Sequence, residues 1–217
     1  MTMKFHYLSG SPFSWKVWLA LEHGGFAYEP VRLQVDAGDL RSPEFLALNP
    51  KGKLPVLLDG ALVLSESDAI AEYLADLRAP SGAALWPADI IQRAHGRRFA
   101  AAATNYVYPQ VRQIMEQTLF LKAGAADLEA IGTARAQLSI DLRLLAEAMQ
   151  EAFAIGSTPT IADFTLYPFI ALLGRIDAQK PGHFAAAVVP ERLATWARRI
   201  EDLSWFERTI PPHWRVP

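Results

Sequence analysis

The spacing of apolar positions changes more than once along this chain. Lys4 to Leu8 alternates as an aromatic-rich strand, and from Trp15 the spacing turns helical through Trp18, Leu19 and Glu22 until Gly24 and Gly25 stop it. A second strand fits Tyr28 to Val35, and "SPEFLAL" from Ser42 starts a short helix with a serine cap and a proline in its first turn. In "LPVLLDGALVLSES" two apolar runs meet at Asp59 and Gly60, a pair favoured in tight hairpin turns, and residues 66–77, "ESDAIAEYLADL", make an amphipathic helix. The predicted order over residues 1–78 is β-α-β-α-β-β-α.

The stretch "RAPSGAALWPAD" has two prolines, a glycine and weak periodicity, which marks a linker. Beyond it strand patterning disappears. Residues 89–153 are rich in good helix formers and are divided by Gly124 into two long helices, the first kinked at Pro109, and further helices fit 161–173 and 190–201. The expected fold class is therefore α/β plus all-α: a mixed domain over 1–78 and an all-helical domain over 89–217.

Composition narrows the function classes. Of 217 residues, 51% are hydrophobic and 20% charged, enough apolar content to build a core. The formal charge is -2 with neither half of the chain basic, which argues against a nucleic-acid partner. The longest apolar run, Leu166 to Leu173, falls far short of the roughly 20 residues of a spanning helix, so no membrane association is expected. "MTMKFHYLSG" reads as an immediate strand rather than a secretory signal, and a cytoplasmic protein is expected. With no cysteine, the chain has no thiol of its own, so any sulfur chemistry must use sulfur brought by a ligand. The histidines at 6, 23, 95, 183 and 213 lack metal-type spacing, and phosphate-loop, dinucleotide and nucleophile-elbow patterns are missing; no metal is implied.

Three stretches carry candidate chemistry. In "SGSPFSWKV", Ser11 and Pro12 read as a helix cap, where a hydroxyl and unpaired backbone N–H groups converge on the positive end of a helix, a setting that suits an anion such as a thiolate. In "NPKGKLPVLLDG", Pro55 stands where a strand should begin, which fits a strand start, an edge, or a cis Leu54–Pro55 bond with the Leu54 backbone left to pair with a bound peptide. In "SESDAI", Ser65 or Ser67 can cap the following helix, while Glu66 sets a carboxylate at the same place, able to hold an ammonium.

Taken together, Ser-Pro-Phe before the first helix, "KLPVL" and "SESDAI" in this β-α-β-α-β-β-α order make the chain resemble the cytosolic glutathione transferase superfamily, a thioredoxin-like domain followed by an all-helical one. "TPTIADFTLYPF" adds to the likeness, its Thr160 and Asp163 matching a capping box that belongs to folding rather than chemistry. The resemblance is to the serine-type, tau/zeta-like bacterial members. It implies glutathione as co-substrate, with Ser11 hydrogen-bonding its thiolate and Ser14 a competitor for that role. It further implies that Lys53 pairs with the glycyl carboxylate, that Leu54 supplies a backbone contact before Pro55, that Glu66 and Ser67 grip the γ-glutamyl end, and that Arg41 assists. In the isomerase-like branch the matching stretch reads Ser-Ser-Cys-Ser-Trp-Arg-Val; this chain shares Ser11, Ser14, Trp15 and Val17, has Lys16 for Arg, and lacks the Cys, which counts against maleylacetoacetate isomerase activity. A small hydrophobic electrophile is expected beside Phe13 and the first long helix of the second domain, with Tyr106 chosen over Tyr108. The implied function is a detoxifying transferase acting as a homodimer; a glutathione-dependent isomerase or lyase, and a non-catalytic binding module, are the alternatives. "WFERTIPPHWRVP" is left as either a lid or a core-packing tail.

Overall fold

The computed structural model describes residues 2–77, 83–121, 123–183 and 185–214. Residues 78–82 of the expected linker and the last three residues of the tail lie outside them. Contacts divide the chain into two units, Met1–Trp86 with Ser204–Pro217, and Pro87–Leu203. The carboxyl-terminal segment, read from sequence as part of the helical domain, thus belongs to the first unit.

The first unit runs β1 (Met3–Leu8), α1 (Pro12–His23), β2 (Tyr28–Leu33), α2 (Pro43–Leu48), β3 (Val56–Asp59), β4 (Leu62–Ser65) and α3 (Ser67–Leu77). The strands form one mixed sheet in the order β2-β1-β3-β4, with β1 and β2 parallel and the other pairs antiparallel. In its core Phe5, Val17, Leu19, Leu21, Val56, Leu57, Ile70 and Leu74 are fully buried, consecutive Val56 and Leu57 being covered on opposite faces of the sheet. Ser42 caps α2, accepting the N–H of Phe45 as expected. The hairpin turn falls on Gly60 and Ala61, one residue later than the Asp59–Gly60 pair suggests, because Asp59 is still paired with Leu62 and Gly60 takes the positive φ of 59°.

The second unit holds α4 (Ile90–Ala102), α5 (Tyr108–Gln117), α6 (Leu128–Ala148), α7 (Ile161–Gln179) and α8 (Glu191–Glu201). Where a kink was expected at Pro109, a π-helical turn, Ala103–Val107, joins α4 to α5 directly ahead of the proline. Helix α7 extends past the expected 161–173 and runs through Pro168, since almost every position from Ile161 to Leu173 is buried and packing outweighs the proline penalty. Among the described residues no helix is long and apolar enough to cross a membrane.

The tail is a strap along α1. It consists of two 3-10 turns, Phe206–Thr209 and Pro212–Trp214. At the far end of α1, Trp205 meets His23 edge-on at 5.6 Å and Arg208 pairs with Glu22 at 2.9 Å. Glu22 in turn accepts from the Tyr28 hydroxyl, which accepts from Trp18 Nε1 at 2.6 Å. Midway, Thr209 accepts from the buried Trp15 Nε1 at 3.1 Å, and Trp214 packs edge-on against Trp15.

Burial beneath the strap lowers the His23 pKa from 6.5 to about 4. The neutral ring is the folded form, so its stability contribution is complete above pH 6.5 and is lost as pH falls toward 4. Denaturant melts of the native chain should weaken over that window by up to about 1.4 kcal/mol per pH unit more than those of His23→Phe, which has nothing to titrate.

Candidate active site

The strand register decides which sequence motifs meet. His6 stands opposite Val56, Val56 opposite Ser65, and Leu8 beside Leu33. The exit of β1, the entry to β3 and the exits of β4 and β2 therefore open at one end of the sheet. Ser9–Ser11, Lys53–Pro55 and Glu66–Ser67 follow or precede those strand ends directly, so motifs far apart in sequence share one edge.

At the exit of β1, the N–H of Ser11 bonds the Leu8 carbonyl at 3.1 Å, closing a turn whose third residue, Gly10, has φ 83°. Ser11 caps α1 in extended conformation, its Oγ accepting the Ser14 N–H at 3.4 Å. Accepting through a lone pair leaves the hydroxyl proton of Ser11 for donation to an anion at the same helix end. Ser14 differs: it is buried, and its Oγ accepts the Leu8 N–H at 3.2 Å, tying the end of β1 to α1. Phe13 is half-buried in the first turn of α1.

The β3 entry contains a cis Leu54–Pro55 bond, and Leu54 stands outside the β1–β3 ladder. The preceding loop is held by buried Asn49, which donates to the Lys53 carbonyl at 2.8 Å and accepts from the Lys51 N–H. Lys53 itself is exposed. Arg41 lies against this loop: a Cβ placed on Gly52 would be 3.3 Å from Arg41 Nη1.

At the β4 exit, Glu66 is exposed and holds φ 69°, the left-handed conformation that a non-glycine residue rarely takes. Its carbonyl accepts the Ile70 N–H, making Glu66 the residue that opens α3; Ser67 is the buried first helical residue, not the cap. Next to it, Asp68 accepts from Lys16 Nζ at 2.6 Å. Sequence reasoning noted Lys16 only as a replacement for arginine, yet its side chain is 2% exposed and bridges α1 to the start of α3. Burial pulls the Lys16 pKa down, with the Asp68 carboxylate opposing it. Since Asp68 is the partner that neutralises a buried ammonium, Asp68→Asn should destabilise by about 2 kcal/mol and Lys16→Met by less than about 1, read from urea unfolding.

Tyr106 belongs to the second unit, on the π-helical turn, and is 61% exposed. Tyr108 stacks at a tilt on Phe169 within that unit. Among the described residues no group of three His, Cys, Asp or Glu is placed to hold a metal ion.

A family model described as "Glutathione S-transferase, N-terminal domain" matches residues 10–77, the segment that contains Ser11, Lys53–Pro55 and Glu66–Ser67. The chain is 36% identical over 217 residues to a maleylacetoacetate isomerase of Rhizobium meliloti (strain 1021), covering 97% of this chain and 96% of that one. It is 32% identical over 171 residues to glutathione S-transferase 2 of Anopheles gambiae, covering 78% and 79%. Among solved structures, the apo form of glutathione S-transferase III superposes with a TM-score of 0.80 at 27% identity, covering 98% of each chain.

Proposed function

This chain belongs to the glutathione S-transferase family, and from that premise we propose that it is a serine-type transferase in which Ser11 donates its hydroxyl proton to the thiolate of bound glutathione. The observation that carries the reading is the register His6–Val56–Ser65, which gathers a capping serine, a loop with a spare backbone and a carboxylate on one edge. A tripeptide laid across that edge has its sulfur at Ser11, its backbone on Leu54 beside Pro55, its glycyl carboxylate toward Lys53 with Arg41 behind, and its amino end toward Glu66 and Ser67. Ser14 is left to structure, because it is buried where it ties β1 to α1, while Ser11 is partly exposed.

The chemistry requires little beyond this. A thiol of pKa about 8.5 is mostly protonated at neutral pH, and one hydrogen bond plus the α1 terminus lowers that value by a unit or more. The thiolate then adds to a small hydrophobic electrophile resting against Phe13, with proximity supplying much of the rate. The similarity to an isomerase supports a second reading, in which the thiolate adds to an unsaturated substrate, allows bond rotation and departs unchanged. The two differ in the fate of glutathione. Incubation with a panel of electrophiles, following conjugate and recovered glutathione together, should show stoichiometric consumption; full recovery with rearranged product would select the isomerase, and failure to bind immobilised glutathione would reject both. In keeping with the family, the proposed setting is a cytoplasmic homodimer active in detoxification.

A further inference from the structure

The strap reaches the turn that sets Ser11. Ser9 Oγ and His213 Nδ1 lie 2.9 Å apart, across 204 residues of sequence. The next residue is in contact with the same ring: a Cβ on Gly10 would sit 2.9 Å from His213 Cε1 and 3.6 Å from Trp214 Nε1. Both central residues of the Leu8–Ser11 turn are thus held from outside, Ser9 by a hydrogen bond and Gly10 by close packing. Trp214 is anchored on Trp15, one helical turn beyond Ser11, and Thr209 is anchored on the same indole. The strap therefore touches the turn before Ser11 and the helix after it.

We propose that the carboxyl-terminal strap belongs to the thiol-activating apparatus, with His213 acting through Ser9 as a positioning residue for Ser11. The inference rests on the transferase reading for its activity consequence, but not for its structural one. A turn pinned at Ser9 and Gly10 fixes where the Ser11 hydroxyl points, and misplacing such a donor by a fraction of an ångström weakens its bond to a thiolate. Because the Ser9–His213 contact is exposed, its loss should change the site far more than the fold.

The test uses the full chain with His213→Ala, Ser9→Ala, the double variant and His213→Asn, whose amide can restore a bond to Ser9. His213→Ala and Ser9→Ala are each expected to lower kcat/KM for conjugation about five- to tenfold, to move the pH midpoint of the rate upward, and to speed hydrogen exchange at the amides of residues 9–14. The double variant should lose no more than either single one, and His213→Asn should recover most of the loss. Wild-type exchange at these amides together with an unmoved pH midpoint would overturn the proposal, as would losses that multiply in the double variant. A wild-type chain that leaves glutathione untouched rejects the transferase reading instead, and the strap is then judged by exchange alone: faster exchange supports it, unchanged exchange ends it.

Discussion

Ser11→Ala should lower kcat/KM for conjugation at neutral pH by about a hundredfold, in the range seen when one preorganised donor to a developing anion is removed. The loss should have a pH signature. Without the hydroxyl, the bound thiol moves toward its solution pKa of about 8.5, so the variant regains rate as pH rises while the native chain has already levelled off. A cap is lost as well, but at about 1 kcal/mol the protein remains folded. Ser14→Ala is the matching control, since it strands the part-buried Leu8 N–H and should lower the unfolding free energy by about 1–3 kcal/mol rather than shift the pH profile. Steady-state rates across pH for the two variants decide the assignment, and an unshifted profile in Ser11→Ala removes that serine from the chemistry.

Asp163→Ala should be the most damaging single change in the second unit, costing about 4 kcal/mol or more out of the 5–15 that hold a typical domain. One carboxyl oxygen accepts the Ala154 N–H at 2.7 Å and Trp196 Nε1 at 2.8 Å; the other accepts the N–H of Thr160 at 2.8 Å and its hydroxyl at 3.0 Å. Asp163 is completely buried, so each stranded donor carries its desolvation penalty of about 1–3 kcal/mol, the Thr160 N–H among them being the half of the α7 capping box that Asp163 supplies. Three segments come apart together: the loop before α7, the start of α7, and α8 through Trp196. Asp163→Asn should rescue little, because its NH2 faces donors. Guanidinium unfolding followed by far-ultraviolet circular dichroism measures the effect, and a loss below about 1 kcal/mol would mean that the network relaxes around the gap.

The Thr160–Asp163 box was legible in the sequence because it is local, a side chain three residues from the backbone it serves. The same holds for the Ser42 cap and for Pro55 at its strand start. Gathering the glutathione motifs was legible only through family resemblance, since no spacing reveals that Val56 will lie between His6 and Ser65. What sequence missed depends on distant partners. Lys16 stands out in the sequence only as a replacement for arginine until α3 is laid over it, and the tail reads equally as a lid or as core packing until Trp15, Glu22 and Ser9 supply its contacts. The π-helical turn escaped for a different reason: proline announces an interrupted helix but not the form of the interruption.

The left-handed backbone at Glu66 has a consequence for how this chain can change over generations. A glycine at that position would relieve strain worth about 1–3 kcal/mol. It would also erase the negative charge that the proposed glutathione site offers to an amino group. Selection for a hardier fold and selection for capturing a peptide thus pull the same codon in opposite directions, and lineages that abandon the peptide should be the ones that drift to glycine.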